Sequence, residues 1–497
     1  MKNKCILTGL VLAVLFSFAA CKDKNDPDPK PANNEHRYVN KWIYDEVMSL
    51  YYLWNDKLPT SPDYKLNPND FFESICYWYN KNTNPNGDRF SWIQENYVEL
   101  LSLLSGVSSD EIGFEFQLYY LDDSRVNLMG EVLYVKRGTP AEAKGLERGK
   151  VFTAINGTTL TVSNYQSLLR GLKGNYSLVV YDPLIADGNI SLQNEQALEL
   201  STLSKYEENP IYLDTVYQNI NGKNIGYLVY NFFADDNGDK TFEYDAQMVQ
   251  IFSDFKAKNV TDLILDLRYN SGGSVLSALC MAGMIVKGLN TKDVFYRAEY
   301  NKLYSDYVRS KWGEDAFREY FIDKIEPSKD NNLKTTIKLV NIGDKLQNFY
   351  VLTGQNTASA SELIINGLLP YMNITLVGDT TVGKNVASAS FYEENDPKNK
   401  WGVQPIIAKL YNKDNKSDFT AGFVPDYLNR DKRIPKKQLG DLSEDMLNEA
   451  VTLIAGGTRA SVVKMPPISN KSVMSSVAQK TWSNNMILNI KPLPKPE

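Results

Sequence analysis

The run Phe349-Tyr350-Val351-Leu352-Thr353 decides the fold when read together with three runs downstream of it: Thr357-Ala358-Ser359-Ala360-Ser361-Glu362, then Ile374-Thr375-Leu376-Val377, then Val382-Gly383-Lys384. The first run is aromatic and β-branched, as strands are. Glu362 to Leu369 is apolar at helical spacing, and Ile374 to Val377 is strand-like again. Strand, helix and strand in this order form a βαβ unit, whose two strands run parallel and end at one edge of the sheet. Ser359 then lies between the first strand and the helix. Lys384 lies just past the second strand, 25 residues on. Both reach the edge at which open α/β sheets bind ligands. Asn270-Ser271-Gly272-Gly273 comes after another buried-looking strand, Leu263-Ile264-Leu265-Asp266-Leu267, and is expected at the same edge. Glycines there let backbone N–H groups face a ligand.

Ser359-x-x-Glu362 also fits a capping box, so Ser359 has a purely structural reading as a helix cap. Its chemical reading is a nucleophile at a helix N-terminus, where the dipole and unpaired N–H groups favour developing negative charge. The chain has one histidine, His36, far from this run, so a serine hydrolase built here must use lysine as its base. Such a lysine has to be neutral. At an ordinary pKa of ~10.4 only about 0.04% is neutral at pH 7, and lowering it by roughly three units takes about 4 kcal/mol. Burial supplies that by penalising the ammonium form. Ile374 to Val377, Val382, Val386 and Ala387 are the apolar neighbours that would do it.

From about residue 206 to 456 strands alternate with helices, which implies a largely parallel sheet covered by helices. Residues 37–104 carry apolar residues at helical spacing, including Trp42, Ile43, Val47, Phe71, Phe72 and Ile75, and read as a small helical domain. Residues 457–497 are polar with scattered proline and read as an extended or loosely ordered tail. At the other end, Lys2 and Lys4 precede an apolar stretch ending Ser17-Phe18-Ala19-Ala20-Cys21, the pattern of a signal peptide over 1–20. The two small residues before a cysteine resemble a bacterial lipobox. That resemblance implies lipidation of Cys21, export, and anchoring in the cell envelope, facing the periplasm or the exterior. The polar stretch over 21–36 reads as a tether.

A formal net charge of −6 with no clustered Lys or Arg excludes the usual nucleic-acid binder. Cys76 and Cys280, the two cysteines left after Cys5 and Cys21, cannot make a standard zinc site with one histidine. An all-oxygen metal site stays open as an alternative, but no EF-hand loop is present in the sequence, and the expectation is no metal and no cofactor.

Residues 105–205 combine short strands with Gly138-Thr139-Pro140-Ala141, Gly145-Leu146-Glu147-Arg148-Gly149 and a strand ending Asn156-Gly157. This resembles the PDZ domains of bacterial proteases, with Lys150 in place of the usual Asp. By that resemblance Ile112-Gly113-Phe114 is the carboxylate-binding loop, and an extended peptide adds to the sheet edge beside it.

With Asp266-Leu267-Arg268-Tyr269-Asn270-Ser271-Gly272-Gly273, the Ser359 and Lys384 runs, and Gly422-Phe423-Val424-Pro425-Asp426, residues 105–455 resemble the S41 serine peptidases, the carboxyl-terminal processing proteases. The resemblance implies an α/β core similar to the Clp protease/crotonase superfamily, with the PDZ-like domain inserted in or preceding it. It implies a serine endopeptidase acting on protein or peptide substrates. Ser359 attacks, Lys384 is general base and then general acid, and the N–H groups of Ala360 and of Gly272 or Gly273 hold the oxyanion. Many members carry glutamine four residues after the lysine. Ser388 stands there, and Ser388 or Ser361 is expected to hold the amine. Two other readings stand beside this one. One is a lipoprotein that keeps the fold but only binds peptide or ligand. The other is a crotonase-type acyl transferase, which export argues against.

Overall fold

The computed structural model describes residues 32–186, 189–431, 433–457, 472–480 and 484–493. The stretch 1–20 expected to be a signal peptide, and Cys21, fall outside them. At the centre is a six-stranded sheet in the order Ile211–Ile220, Lys223–Tyr230, Asp262–Asp266, Asn348–Thr353, Thr375–Gly378, Tyr427–Leu428. The first pair is antiparallel and every later pair is parallel. Asp266 stands opposite Leu352, and Leu352 opposite Val377, so these three strands end level with one another.

Alternation along the strands separates two cores. Leu263, Leu265 and Val351 face the helices Glu243–Ala257, Val275–Ile285 and Ala360–Leu368. Ile264, Tyr350, Leu352 and Val377 face the helix Asp445–Ile454 through Met446, Leu447 and Ala450. With both faces covered, the strands read as continuous apolar runs, which is why they were visible in the sequence.

Residues 105–205 form a second sheet. Within this stretch the order is Phe114–Tyr120, Leu128–Val135, Val151–Ile155, Asn175–Ala186 and Asn189–Ser201, all antiparallel. Arg148 ties this unit to the core. Buried itself, it donates to Leu133 O at 2.7 Å, to Lys437 O at 2.7 Å, to Asp431 Oδ1 at 2.9 Å and to the Tyr269 hydroxyl.

Three parts differ from the sequence-based expectation. The first helix begins at Ala32, inside the stretch read as a tether. The region 37–104 is not helical throughout: Trp92–Gln94 is a strand paired antiparallel with Gly402–Gln404 of the core. Its apolar cluster, with Ile43, Met48, Phe71 and Phe72, also takes in Val403, so it packs on the core as well as on itself.

The third difference is the tail, whose described residues are packed rather than loosely ordered. Ser472–Ser475 extends the second sheet beyond Phe114–Tyr120. Met486–Ile487 lies inside a third sheet, between Gly273–Ser274 and Val386–Ser388. Val477, Met486 and Leu488 are the buried anchors. The surfaces that bury them are made elsewhere in the chain, which the composition of the tail does not show.

Cys76 and Cys280 are both free. Among the described residues no helix is long and apolar enough to cross a membrane.

Candidate active site

Ser359, Lys384 and the Asn270–Gly273 turn meet at the edge where the three central strands end. The turn into Ser359 is held by backbone and hydroxyl contacts to the neighbouring strand. Thr357 Oγ1 donates to Leu267 O at 2.7 Å, and Ala358 N donates to Asn270 O at 3.1 Å. Ser361 Oγ donates to Asn270 O at 3.2 Å. Ser359 itself has φ 65° and ψ −115°. A non-glycine residue at positive φ costs on the order of 1–3 kcal/mol and persists only where its surroundings impose it.

Glu362 is what imposes it. Its buried carboxylate accepts four hydrogen bonds. Oε2 takes Ser359 N and Lys384 N, both at 2.8 Å. Oε1 takes the Thr381 hydroxyl at 2.6 Å and Gly383 N at 2.7 Å. One side chain therefore fixes the backbone of both Ser359 and Lys384. Burial pushes the Glu362 carboxyl up, and the four donors oppose that. The capping-box arrangement is present at this helix start, yet only its Glu362 half closes a hydrogen bond. Ser359 Oγ is buried and has no hydrogen-bond partner among the described residues.

Lys384 is fully buried, and burial lowers its pKa to about 7. Asp88 and Glu362 pull it up and Arg89 pushes it further down, but desolvation is the largest effect. Its Nζ stands 5.0 Å from the centre of the Phe90 ring and donates to Asn484 O. Arg89 Nη2 donates to Gly383 O at 2.6 Å, next to the lysine. The segment Asp88–Ser91 thus walls the lysine from the N-terminal side. Nothing in its sequence marks it, since the contacts come from residues almost 300 positions away.

Gly272 and Gly273 have φ values of 106° and 136°. A Cβ on Gly272 would lie 2.6 Å from Ser359 Cβ, so only glycine lets the turn approach the serine this closely. Gly272 N donates to Asn270 Oδ1 at 2.8 Å, and Gly273 N donates to Asn485 O at 2.5 Å. Ala360 N is the first N–H of its helix and has no intrahelical acceptor.

Ser388 is buried close by, but its hydroxyl donates to Met486 O at 3.3 Å rather than to Lys384. Neither Ser388 nor Ser361 holds the amine; the Asn484 carbonyl does. Ile112, Gly113 and Phe114 lie apart from this edge, at the start of the Phe114–Tyr120 strand. Gly113 N donates to Glu111 Oε1 at 2.8 Å, and Phe114 is core. Among the described residues no group of acidic, histidine or cysteine side chains is arranged to hold a metal ion.

The sequence matches the model of "Peptidase family S41" over residues 224–428 and that of "Peptidase S41 N-terminal domain" over 38–92. The chain belongs to peptidase family S41. The Ser359 and Lys384 runs, and the Phe90 wall beside them, fall inside the two matched stretches of this S41 peptidase.

It is 24% identical over 304 residues to the carboxy-terminal processing protease CtpA of Bacillus subtilis, which spans 60% of this chain and 53% of that protein. It is 23% identical over 367 residues to a carboxyl-terminal-processing protease of Picosynechococcus, spanning 71% of this chain and 73% of that one. The fold is similar to the crystal structure of a putative S41 protease from Bacteroides fragilis, with a TM-score of 0.64 and 26% identity, covering 84% of this chain and 97% of the other.

Sequence reasoning on this S41 peptidase missed two side chains that pack around Ser359 and Lys384. Glu362 was legible only as half of a capping box. Phe90 had no signal at all.

Proposed function

We propose that this protein is a serine endopeptidase in which Ser359 is the nucleophile and Lys384 the general base. The observation that carries the reading is the buried lysine, whose pKa of about 7 leaves it half neutral near physiological pH. A general base works best with its pKa near the operating pH. Lys384 Nζ takes the Ser359 proton as Oγ attacks the peptide carbonyl. It returns the proton to the leaving amine, and water then completes hydrolysis by the same route. Ala360 N and a glycine N–H of the 272–273 turn, released from Asn270 Oδ1 or from Asn485 O, receive the oxyanion. In this reading Ser388 acts on the substrate path rather than on the lysine.

The 105–205 unit acts as a PDZ-like module that takes extended polypeptide at the Phe114–Tyr120 edge. Sensing a free C-terminus there requires the incoming carboxylate to take the Gly113 N–H from Glu111. Substrates are proteins or peptides.

A fluorophosphonate that acylates serine nucleophiles tests the assignment. Mass spectrometry is expected to find the adduct on Ser359, and Ser359→Ala to lose both the adduct and the cleavage of unfolded casein. An adduct elsewhere, or full cleavage by Ser359→Ala, sinks it. The second reading, a binding protein on the same fold, is favoured by one observation: Lys384 Nζ is bonded to Asn484 O and Ser359 Oγ is unpartnered. Peptide binding without any adduct would select it.

The Ser17–Cys21 motif supports export with a lipid on Cys21. In a bacterial host that processes lipoproteins, the protein is expected in the membrane fraction and Cys21→Ala in the soluble envelope fraction. Equal partitioning of the two argues against the anchor.

A further inference from the structure

The C-terminal segment visits both sites at which a substrate would be held. Its first described stretch, Ser472–Ser475, runs antiparallel to Phe114–Tyr120, with Ser472 opposite Tyr119 and Ser475 opposite Gln117. It therefore travels toward Gly113, the direction of a peptide that adds to such an edge. Gln117 Nε2 donates to Met474 O at 2.8 Å, and Phe116 N donates to Ser476 Oγ at 2.8 Å. Lys480 Nζ lies 2.7 Å from Glu115 Oε1. Burial would raise the Glu115 carboxyl, but Lys480 and Lys136 hold it down at about 2. Val477 is buried against Leu133, Tyr134 and Tyr269, and Tyr269 precedes the Asn270–Gly273 turn.

The second described stretch crosses the catalytic edge. Met486 and Ile487 pair in parallel with Gly273 and Ser274 on one side, and Ile487 with Ser388 on the other. Leu488 N donates to Ser388 O at 2.9 Å. Asn484 O takes the Lys384 amine, and Asn485 O takes the Gly273 N–H. A Cβ on Gly272 would lie 2.3 Å from Asn485 O and 3.0 Å from Ser359 Oγ, so the tail backbone and the nucleophile crowd the same glycine. Lys384 is bonded to the tail, and among the described residues Ser359 Oγ has no hydrogen-bond partner. This arrangement fits a stalled occupant rather than a peptide undergoing cleavage, because Ser359 Oγ is not bonded to the Lys384 amine.

We propose that the C-terminal segment fills the substrate path and holds the enzyme inactive in cis, and that extended polypeptides enter by displacing it from the Phe114–Tyr120 edge and then from between Gly273–Ser274 and Val386–Ser388. The inference rests on the peptidase reading above. A tethered occupant competes at an effective concentration of order millimolar. Substrates that win are therefore extended or unfolded chains long enough to engage both edges, since a short peptide replaces only one of the two contacts.

Two substitutions far from the dyad loosen the segment. Lys480→Glu sets a third carboxylate beside Glu115 and Glu208, and Met474→Pro removes a backbone N–H from the added strand. In the full chain, with folding checked by thermal melting, each is expected to raise the rate of fluorophosphonate labelling at Ser359 at least about tenfold, because labelling follows the open fraction. Casein cleavage should rise in parallel, and a synthetic peptide of residues 472–493 should slow the variants when added in trans. Equal, measurable labelling in wild type and both variants overturns the inference and leaves the peptidase reading intact. Faster labelling without casein cleavage supports the tail as occupant and sinks the peptidase reading. No labelling in any variant overturns both.

Discussion

Lys384→Met is expected to abolish turnover and, at the same time, to make the protein more stable near pH 7. The methionine side chain has a similar length and no charge, and the site that receives it is fully buried beside Phe90. Activity is expected to be lost because the proposed base is removed, and the one histidine, His36, precedes the matched S41 segments. Stability rises because the native fold lowers the lysine pKa from 10.5 to about 7.

Between those two values the unfolded chain binds a proton that the native chain does not, so wild-type stability climbs with pH across this window. Below about pH 7 lysine is protonated in both states and the penalty is at its full size, roughly 5 kcal/mol at about 1.4 kcal/mol per unit. Above pH 10.5 it vanishes. Denaturant unfolding at about pH 7 and near pH 10 checks this. Lys384→Met should gain stability at the lower pH, less the hydrogen bond to Asn484 O, and the gain should shrink at the higher one. A variant less stable than wild type at both would mean that the lysine is charged and paired in the native state.

The second large effect is expected at Glu362. Glu362→Ala leaves four donors without an acceptor in a buried place. Each unsatisfied group costs about 1–3 kcal/mol, so the variant should be severely destabilised or fail to fold. Glu362→Gln separates structure from catalysis. Its amide nitrogen can stand only on the Thr381 and Gly383 side, since on the other side it would oppose both Ser359 N and Lys384 N. The Gly383 N–H then loses its acceptor and the lysine loop relaxes. Stability should fall by about 1–3 kcal/mol. Turnover should fall by around a hundredfold, the cost of a misplacement of about 1 Å in a positioned group. Thermal melting and kcat for casein measure the two. Wild-type kcat in a folded Glu362→Gln protein would remove Glu362 from the positioning of the dyad.

The core of this site was legible because it rests on local order. A strand, a turn with Ser359, a helix and a strand before Lys384 can be read from periodicity within about 40 residues, and parallel topology then brings the ends together. The Gly272–Gly273 turn was legible for the same reason. What was not legible depends on distant partners. Phe90 meets Lys384 only because Trp92–Gln94 pairs with Gly402–Gln404. Glu362 was visible as a cap, but its grip on Thr381, Gly383 and Lys384 needs the crossover closed.

The tail was misjudged because its buried apolar residues, Val477, Met486 and Leu488, are covered by surfaces made elsewhere in the chain. The glutamine expected to hold the lysine had a stand-in that no local motif can specify, the backbone carbonyl of Asn484, 100 residues downstream.

The central claim is that a buried, neutral Lys384 activates Ser359. The most direct measurement is the pH dependence of the rate at which a fluorophosphonate acylates Ser359, followed by mass spectrometry of the intact chain in wild type and in Lys384→Met. The rate in wild type should rise through pH about 7 and level off above it, and Lys384→Met should show no adduct at any pH. A rate independent of pH across that range, or a Lys384→Met protein that labels as fast as wild type, would contradict the account.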